Sequence, residues 1–216
     1  METDSEAAAG FLTRDILAGA FAPRHRLKLR ELTDRYEIGP TPLREALSRL
    51  AARGLVEQEG QRGFRVPPVT RAHLLDITHT RQVIEAEAFR LSMAHGGRAW
   101  EDEVSASIEI LRRAMMRQEG TDAWLDDYEE RHHRFHRALI AACPFPTLLG
   151  FCDELYAQKT RYRRFLRSLG NKEDGVLGWH EELASLALSR NEAAGMAAIR
   201  NHIGKTATAL LELLEP

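Results

Sequence analysis

Residues Gly39 to Leu50 read GPTPLREALSRL, with two prolines in the four positions that precede a helical pattern. Proline is well tolerated at the first position of a helix, because the amide there has no intrahelical partner and the ring presets the backbone angle. The apolar residues that recur at helical spacing are Leu43, Ala46, Leu47 and Leu50. The segment therefore predicts a helix with a fixed start that turns Arg44, Ser48 and Arg49 away from the core.

The bulk composition is that of a globular, core-forming protein. The chain has 216 residues, of which 44% are hydrophobic and 29% are charged, and this length suits one large domain or two modest ones. No run of 18 apolar residues predicts a membrane span, and the acidic start lacks the apolar region of a signal peptide. Two cysteines, Cys143 and Cys152, are too few for a disulfide scaffold. We expect a cytoplasmic protein whose two thiols are buried or unreactive.

The charges are unevenly distributed along the chain. Residues 11–68 hold 11 Lys and Arg against 7 Asp and Glu, whereas residues 69–216 hold 19 basic and 22 acidic residues. A basic first quarter on a slightly acidic remainder indicates a module that seeks an anion, joined to a neutral one.

A break at Val66-Pro-Pro-Val-Thr70 divides the pattern, because prolines disfavour helix on both sides. We predict one domain over residues 1–68 and a second over 69–216. The first shows three helical patterns and then two strand-like runs around a Gly-rich turn, which indicates a hairpin. The helices are predicted over 6–19, 29–36 and 41–53, the strands over 55–58 and 64–66, and the turn over 59–63.

The second domain is almost wholly helical in pattern. Thr70 is placed to cap a helix that ends at Gly96-Gly97. Further helices are predicted over 99–118, 122–142, 145–168, 174–189 and 191–214, with turns at 119–120, 144–146, 170–171 and 190–191. Helices joined by short turns predict an antiparallel bundle. The fold class is therefore mainly α: an N-terminal winged helix-turn-helix followed by a C-terminal antiparallel all-helical bundle.

The start of the third helix is suited to DNA. A helix N-terminus offers unpaired N–H groups and a partial positive charge, which favour a phosphate. Thr41 and Arg44 fall in the first turn, where a recognition helix contacts bases and backbone. Periodicity alone allows an equally weighted alternative, in which Arg44 and Glu45 only solvate the surface of an amphipathic helix.

Five motifs in residues 10–67 together resemble the DNA-binding domain of GntR-type bacterial transcription regulators. They are ILAGAFAP at 16–23, LRELT at 29–33, TPLREALSRL at 41–50, GLV at 54–56 and GFRV at 63–66. The resemblance implies that Arg30, Thr41 and Arg44 contact double-stranded operator DNA and that Gly63 lies at a wing tip in the minor groove. We add Arg49 to this predicted DNA-binding set because it shares the outward side of the helix.

Four histidines form the other informative pattern. His132 and His136 are four residues apart and share a helix face, a spacing that lets two imidazoles bind one metal ion, while the adjacent His133 is an alternative ligand. His180 and His202 lie in two later helices. From spacing alone, a metal site and a chance pair are equally supported.

The region 70–214 resembles the effector-binding domain of the FadR-like branch of the GntR family. The residues that carry this resemblance are Arg81-x-x-Ile-Glu85, Phe135-His-Arg-Ala-Leu139, His180 and His202. The resemblance implies a divalent metal held by one Asp and three His, and it assigns the three His positions to His136, His180 and His202. His132 stands where the family has Asp.

An all-nitrogen ligand set shifts the expected metal toward zinc or nickel, or copper, over harder ions. It also makes the site acid-sensitive, because each imidazole must be neutral to bind metal. The replacement of Asp leaves a second reading open, in which the pocket holds no metal.

The resemblance implies a small carboxylate effector that binds at the metal, with an arginine holding its other end. Arg81 and Arg161, with Arg163 and Arg164, are the candidates, since arginine binds carboxylates with paired hydrogen bonds. For the segment 161–164 a solvated basic face is the favoured alternative, so Arg81 is the stronger candidate. Together these features predict a ligand-responsive transcription regulator that binds a palindromic operator as a homodimer.

A metal-dependent enzyme that uses His132, His136, His180 and His202 is the rival interpretation. His180-Glu-Glu182 offers a carboxylate base, but the H-E-x-x-H spacing of metallohydrolases is absent from the chain. We therefore predict that the protein is not an enzyme.

The recognition helix departs from the family at Gly39-Pro40, where relatives usually carry Ser-Arg. The chain thus lacks a hydroxyl cap and one base-reading arginine, although glycine is an acceptable N-cap. Because a bidentate arginine–guanine contact contributes about 1–3 kcal/mol of discrimination, Pro40→Arg should change the preferred operator. In vitro selection with both proteins would measure this, and an unchanged preference would contradict it.

Overall fold

The computed structural model describes residues 3–60, 63–117, 121–167 and 176–214. The chain forms two compact units. The first, here called the winged unit, comprises Met1–Leu74, Glu154–Asn171 and Leu213–Pro216; the second, the helical unit, comprises Leu75–Asp153 and Lys172–Glu212. The domain boundary between residues 68 and 69 stays a prediction.

The winged unit contains the three predicted helices and the predicted hairpin. In chain order its elements are α1 (Asp4–Leu17), β1 (Arg26–Leu27), α2 (Leu29–Tyr36), α3 (Pro40–Ala52), β2 (Glu57–Gln58) and β3 (Phe64–Arg65). A capping box starts α1, since the Thr3 hydroxyl accepts from the Glu6 amide while the Glu6 carboxylate accepts from the Thr3 amide. The winged helix-turn-helix prediction is confirmed.

The wing is an antiparallel hairpin of β2 and β3, with Glu57 opposite Arg65 and Gln58 opposite Phe64. Gly63, with φ of 101°, supplies the left-handed backbone that closes the turn. The middle of the predicted turn, Gln61 and Arg62, lies outside the described residues. The sequence did not predict β1, which pairs with the other edge of β3 to give the order β1-β3-β2.

The core of the winged unit is built around α3. The predicted stripe is confirmed, because Leu43, Ala46, Leu47 and Leu50 are the buried residues of this helix. They pack in one cluster with residues of α1, α2 and the sheet, among them Leu12, Ile16, Leu32 and Phe64. Burial of this face fixes the opposite face of α3 toward solvent.

A buried carboxylate joins α1 to α2. Asp15 accepts hydrogen bonds from the Tyr36 hydroxyl at 2.8 Å and from Arg35 Nε at 2.9 Å, and Arg14 adds a third. Burial opposes ionisation of Asp15, but these hydrogen bonds outweigh it and lower its pKa. Burial and the neighbouring carboxylate raise the pKa of Tyr36 to about 12.

The helical unit is an all-helical bundle, as predicted. Its helices are α4 (Arg71–His95), α5 (Arg98–Arg117), α6 (Asp122–Ile140), α7 (Pro146–Arg167), α8 (Val176–Leu188) and α9 (Glu192–Glu212), although α4 begins, and α7 ends, in the winged unit. Thr70 caps α4 through a hydrogen bond from the His73 amide, and the helix ends before Gly96-Gly97, as predicted. The predicted turns at 119–120 and 170–171 and the start of the 174–189 helix lie outside the described residues.

The bundle core gathers residues from every helix of the unit. Helix α5 packs on α6 and α8, and α8 packs on α9. The Trp100 indole donates to the Ala138 carbonyl at 2.9 Å, which satisfies its buried N–H. Both cysteines are buried and free, and burial raises the pKa of Cys152 to about 12, so its thiol is inert near neutral pH.

The part of the chain that the structure describes includes no helix with the length and apolar character needed to cross a membrane.

The Asp15 cluster makes stability depend on pH. Because the folded pKa of Asp15 lies below that of the unfolded chain, about 3.9, its contribution is complete above that value and is lost as pH falls through the folded pKa. Asp15→Asn should lower the free energy of unfolding by about 1–3 kcal/mol at pH 7. In urea titrations this deficit should shrink below about pH 4.

Asp34→Asn, at an exposed position of α2 next to Arg35, is the matched control and should change stability little at any pH. A deficit for Asp15→Asn that stays constant down to acid pH would contradict the role given to its ionised form.

Candidate DNA-binding face and histidine cluster

The outward face of α3 carries the residues predicted to contact DNA. Thr41, Arg44 and Arg49 are exposed, together with Glu45 and Ser48. Within the described residues, no carboxylate forms an ion pair with Arg44 or Arg49, so both guanidinium groups can reach an external anion. The first turn of α3 therefore presents donors on a rigid, well-packed helix.

The start of α3 shows the consequence of the Gly39-Pro40 departure. Gly39 is the N-cap and makes no side-chain capping bond, while Pro40 opens the helix. Pro40 and Pro42 carry no N–H, and the Leu43 amide donates to the Gly39 carbonyl at 3.3 Å, so Thr41 supplies the first-turn amide that remains for a phosphate.

The other predicted DNA contacts lie on α2 and at the wing. Arg30 is exposed in the first turn of α2, and Gly63 lies next to β3 at the closing turn. The wing also contains Arg65, whose guanidinium is bound by Glu57 at 2.8 Å and by Glu59 at 2.6 Å. Arg65 thus serves the hairpin itself.

Four histidines from three helices of the helical unit meet in one buried cluster. His132 and His136 lie on α6, His180 on α8 and His202 on α9, and all four are buried. Each histidine contributes one ring nitrogen, and these four nitrogens lie within 4.8 Å of one another. His133, the alternative ligand, is exposed and is not in the cluster.

The cluster geometry suits a metal ion. The Nε2 atoms of His136 and His180 are 3.4 Å apart, and two nitrogens bound to one tetrahedral zinc at its usual bond length are about 3.3 Å apart. The ring centroids of neighbouring histidines are 4.5 to 5.3 Å apart, so small rotations of the rings would complete a ligand set. The donors are all nitrogen, and within the described residues no carboxylate joins them.

Aromatic side chains that the sequence analysis did not select surround the histidines. Tyr128 lies 5.6 Å from His132, Phe135 lies 5.6 Å from His180, and Trp179 lies 6.3 Å from His202, measured between ring centroids. Tyr128 precedes His132 by four residues, so helical spacing would have placed it there. These rings shape an apolar wall around a polar centre.

The carboxylates considered for an enzyme lie elsewhere. Glu181 is held by Arg112 at 2.9 Å, and Glu182 is exposed. Neither is among the four residues of the histidine cluster.

The two arginines predicted to bind an effector are engaged with groups of the protein. Arg81 is buried in α4 and forms a bidentate pair with Glu85, with nitrogen–oxygen distances of 2.6 and 3.2 Å. Arg161 belongs to the winged unit, where it donates to the Pro67 carbonyl and stacks on Tyr162; burial lowers its pKa. Their predicted effector role stays a prediction.

Two family patterns together span most of the chain. Residues 4–66 match the bacterial regulatory proteins of the gntR family, and residues 76–205 match the FCD domain. The second match alone covers more than half of the chain.

Curated relatives and solved structures agree with these matches. The chain is 35% identical over 198 residues to the HTH-type transcriptional repressor GlaR of Escherichia coli K12, covering 89% of each. It is also 35% identical over 201 residues to the HTH-type transcriptional regulator BphR of Paraburkholderia xenovorans LB400, covering 92% of this chain and 81% of that one. McbR/YncC of E. coli has the same fold, with a TM-score of 0.83 at 18% identity over 98% and 99% of the two chains.

These relatives are transcription regulators and not enzymes, which confirms the prediction that the chain is not an enzyme. The chain belongs to the GntR family of bacterial transcription regulators, with a GntR-type DNA-binding region followed by an FCD domain.

Proposed function

We propose that this cytoplasmic GntR-family regulator binds a palindromic operator as a homodimer and senses a small carboxylate at its histidine cluster. The outward face of α3 supports the first part, since Thr41, Arg44 and Arg49 project from a helix whose other face is buried. One winged unit reads only a half-site, so a palindrome needs two copies related by a two-fold axis.

Within each half-site, Arg44 and Thr41 are proposed to read base edges in the major groove. Arg30 and Arg49 would bind flanking phosphates, and Gly63 would let the wing approach the minor groove closely, because glycine carries no side chain. With Pro40 in place of an arginine, base reading depends more on Arg44 than in typical relatives.

The single observation that carries the sensing proposal is the buried meeting of four imidazoles. His132, His136, His180 and His202 would hold a divalent ion, with zinc or nickel favoured by the all-nitrogen set. When bound, the ion supplies a positive charge that attracts a carboxylate and can accept an additional ligand beyond four. The aromatic wall would exclude water and strengthen that attraction.

The carboxylate would act by binding one conformation of the regulator more tightly than another. Arg81 could contribute only by sharing its guanidinium between the effector and Glu85, because Glu85 already forms a bidentate pair with it.

Metal analysis tests the cluster directly. The purified protein should bind about one zinc or nickel ion per chain at pH 7.5 and release it on acidification, because protonated imidazoles cannot be ligands. The double variant His132→Ala, His180→Ala should bind none, as measured by mass spectrometry of metals after dialysis. In a thermal-shift screen of small carboxylic acids, the acid that is the effector should raise the melting temperature of the wild type only when metal is bound.

His133→Ala is the matched control, because it removes an exposed imidazole next to the cluster, and it should retain the metal. His132→Asp should also bind metal but with a stronger preference for harder ions such as manganese. Stoichiometric metal in the double alanine variant would overturn the ligand assignment.

A further inference from the structure

The C-terminal end of α3 is capped from a distant part of the chain. Helix α3 ends at Ala52, with Arg53 as its C-cap residue. The last carbonyl groups of a helix have no intrahelical donor and need another partner. Gln158 of α7 supplies one, because its side-chain amide donates to the Arg53 carbonyl at 3.0 Å.

Gly54 makes room for this contact. Its φ of 70° lies in the left-handed region that favours glycine after a helix. A Cβ atom at this position would lie 2.6 Å from Gln158 Nε2 and 3.1 Å from Gln158 Cδ. Any larger residue would therefore push the Gln158 amide away from the Arg53 carbonyl.

A second side chain of α7 holds the same residue. Glu154 lies one helical turn before Gln158, and its carboxylate is 3.4 Å from Arg53 Nε. Arg53 is thus held at its carbonyl by Gln158 and at its guanidinium by Glu154. Between them, Ala157 packs against the core of the winged unit.

The following turn of α7 binds the segment between β3 and α4. Arg161 donates to the Pro67 carbonyl, the Tyr162 hydroxyl accepts from the Thr70 amide at 3.4 Å, and His73 Nδ1 lies 2.7 Å from the same hydroxyl. Residues 154–162, which belong to the winged unit, consequently contact its N-terminal part both at the end of α3 and in the segment after β3.

From these contacts we infer that Gln158 and Glu154 are positioning residues for DNA reading. They fix the C-terminal end of α3 and therefore the angle at which Thr41 and Arg44 meet the bases. The inference rests on the proposed role of α3 as the recognition helix. It extends the DNA-reading unit beyond residues 4–66, which match the GntR family, into α7.

Gln158→Ala tests the inference by two readouts. Hydrogen exchange of the amides around Leu50–Leu55 should accelerate by about threefold or more, because the end of α3 loses its cap. Affinity for the duplex that the wild type selects from a random library should fall about two- to tenfold. Affinity for a random-sequence duplex should not change, since phosphate contacts dominate it.

Gln82→Ala is the matched control, because the Gln82 amide makes the same kind of bond, to the Arg200 carbonyl at 2.9 Å, within the helical unit. It should change neither readout. Unchanged exchange at the end of α3 in Gln158→Ala would overturn the inference, as would equal losses on both duplexes, which indicate general destabilisation. If the wild type selects no duplex, the proposed function fails, while the exchange measurement still decides whether Gln158 holds α3.

Discussion

Burial of one face of α3 is the constraint on which the winged unit depends. Leu43, Ala46, Leu47 and Leu50 can be removed from water only if α3 lies against α1, and this orientation turns Arg44 outward. Burying each of the three leucine side chains stabilises the unit by roughly 1.5–3 kcal/mol. The direction of the proposed reading face is thus set by hydrophobic packing, and Pro40 fixes where the helix begins.

In the helical unit the main constraint is electrostatic, because four ionisable imidazole rings are buried together. Neighbouring imidazole centroids lie as near as 4.5 Å, so several positive charges cannot be held there together at low energy. Neutral imidazoles around a metal ion avoid that repulsion. His132 in place of the family's Asp removes a negative charge from the set, which makes the expected ion softer and the site more sensitive to acid.

Much of this could be read from residue spacing, and the remainder depended on tertiary partners. The bounds of α2 and the buried stripe of α3 follow from local patterns, and the four histidines were grouped through family resemblance. Strand β1 was missed because two residues carry no periodicity and pair only once β3 is in place. The hydrogen bond from Gln158 to the end of α3 could not be predicted from the sequence. An amide on a helix surface has no distinctive pattern, and its partner Arg53 is 105 residues away in the chain.

Arg44, on the outward face of α3, is proposed to read operator bases in two symmetric half-sites. Selection from a random duplex library at one fixed salt concentration, with wild type and Arg44→Ala in parallel, tests it most directly. We expect the wild type to enrich an inverted repeat. Arg44→Ala should lose preference at the same position of both halves, while its non-specific binding weakens only slightly. Absence of an enriched sequence, or an identical repeat enriched equally by Arg44→Ala, would contradict the claim.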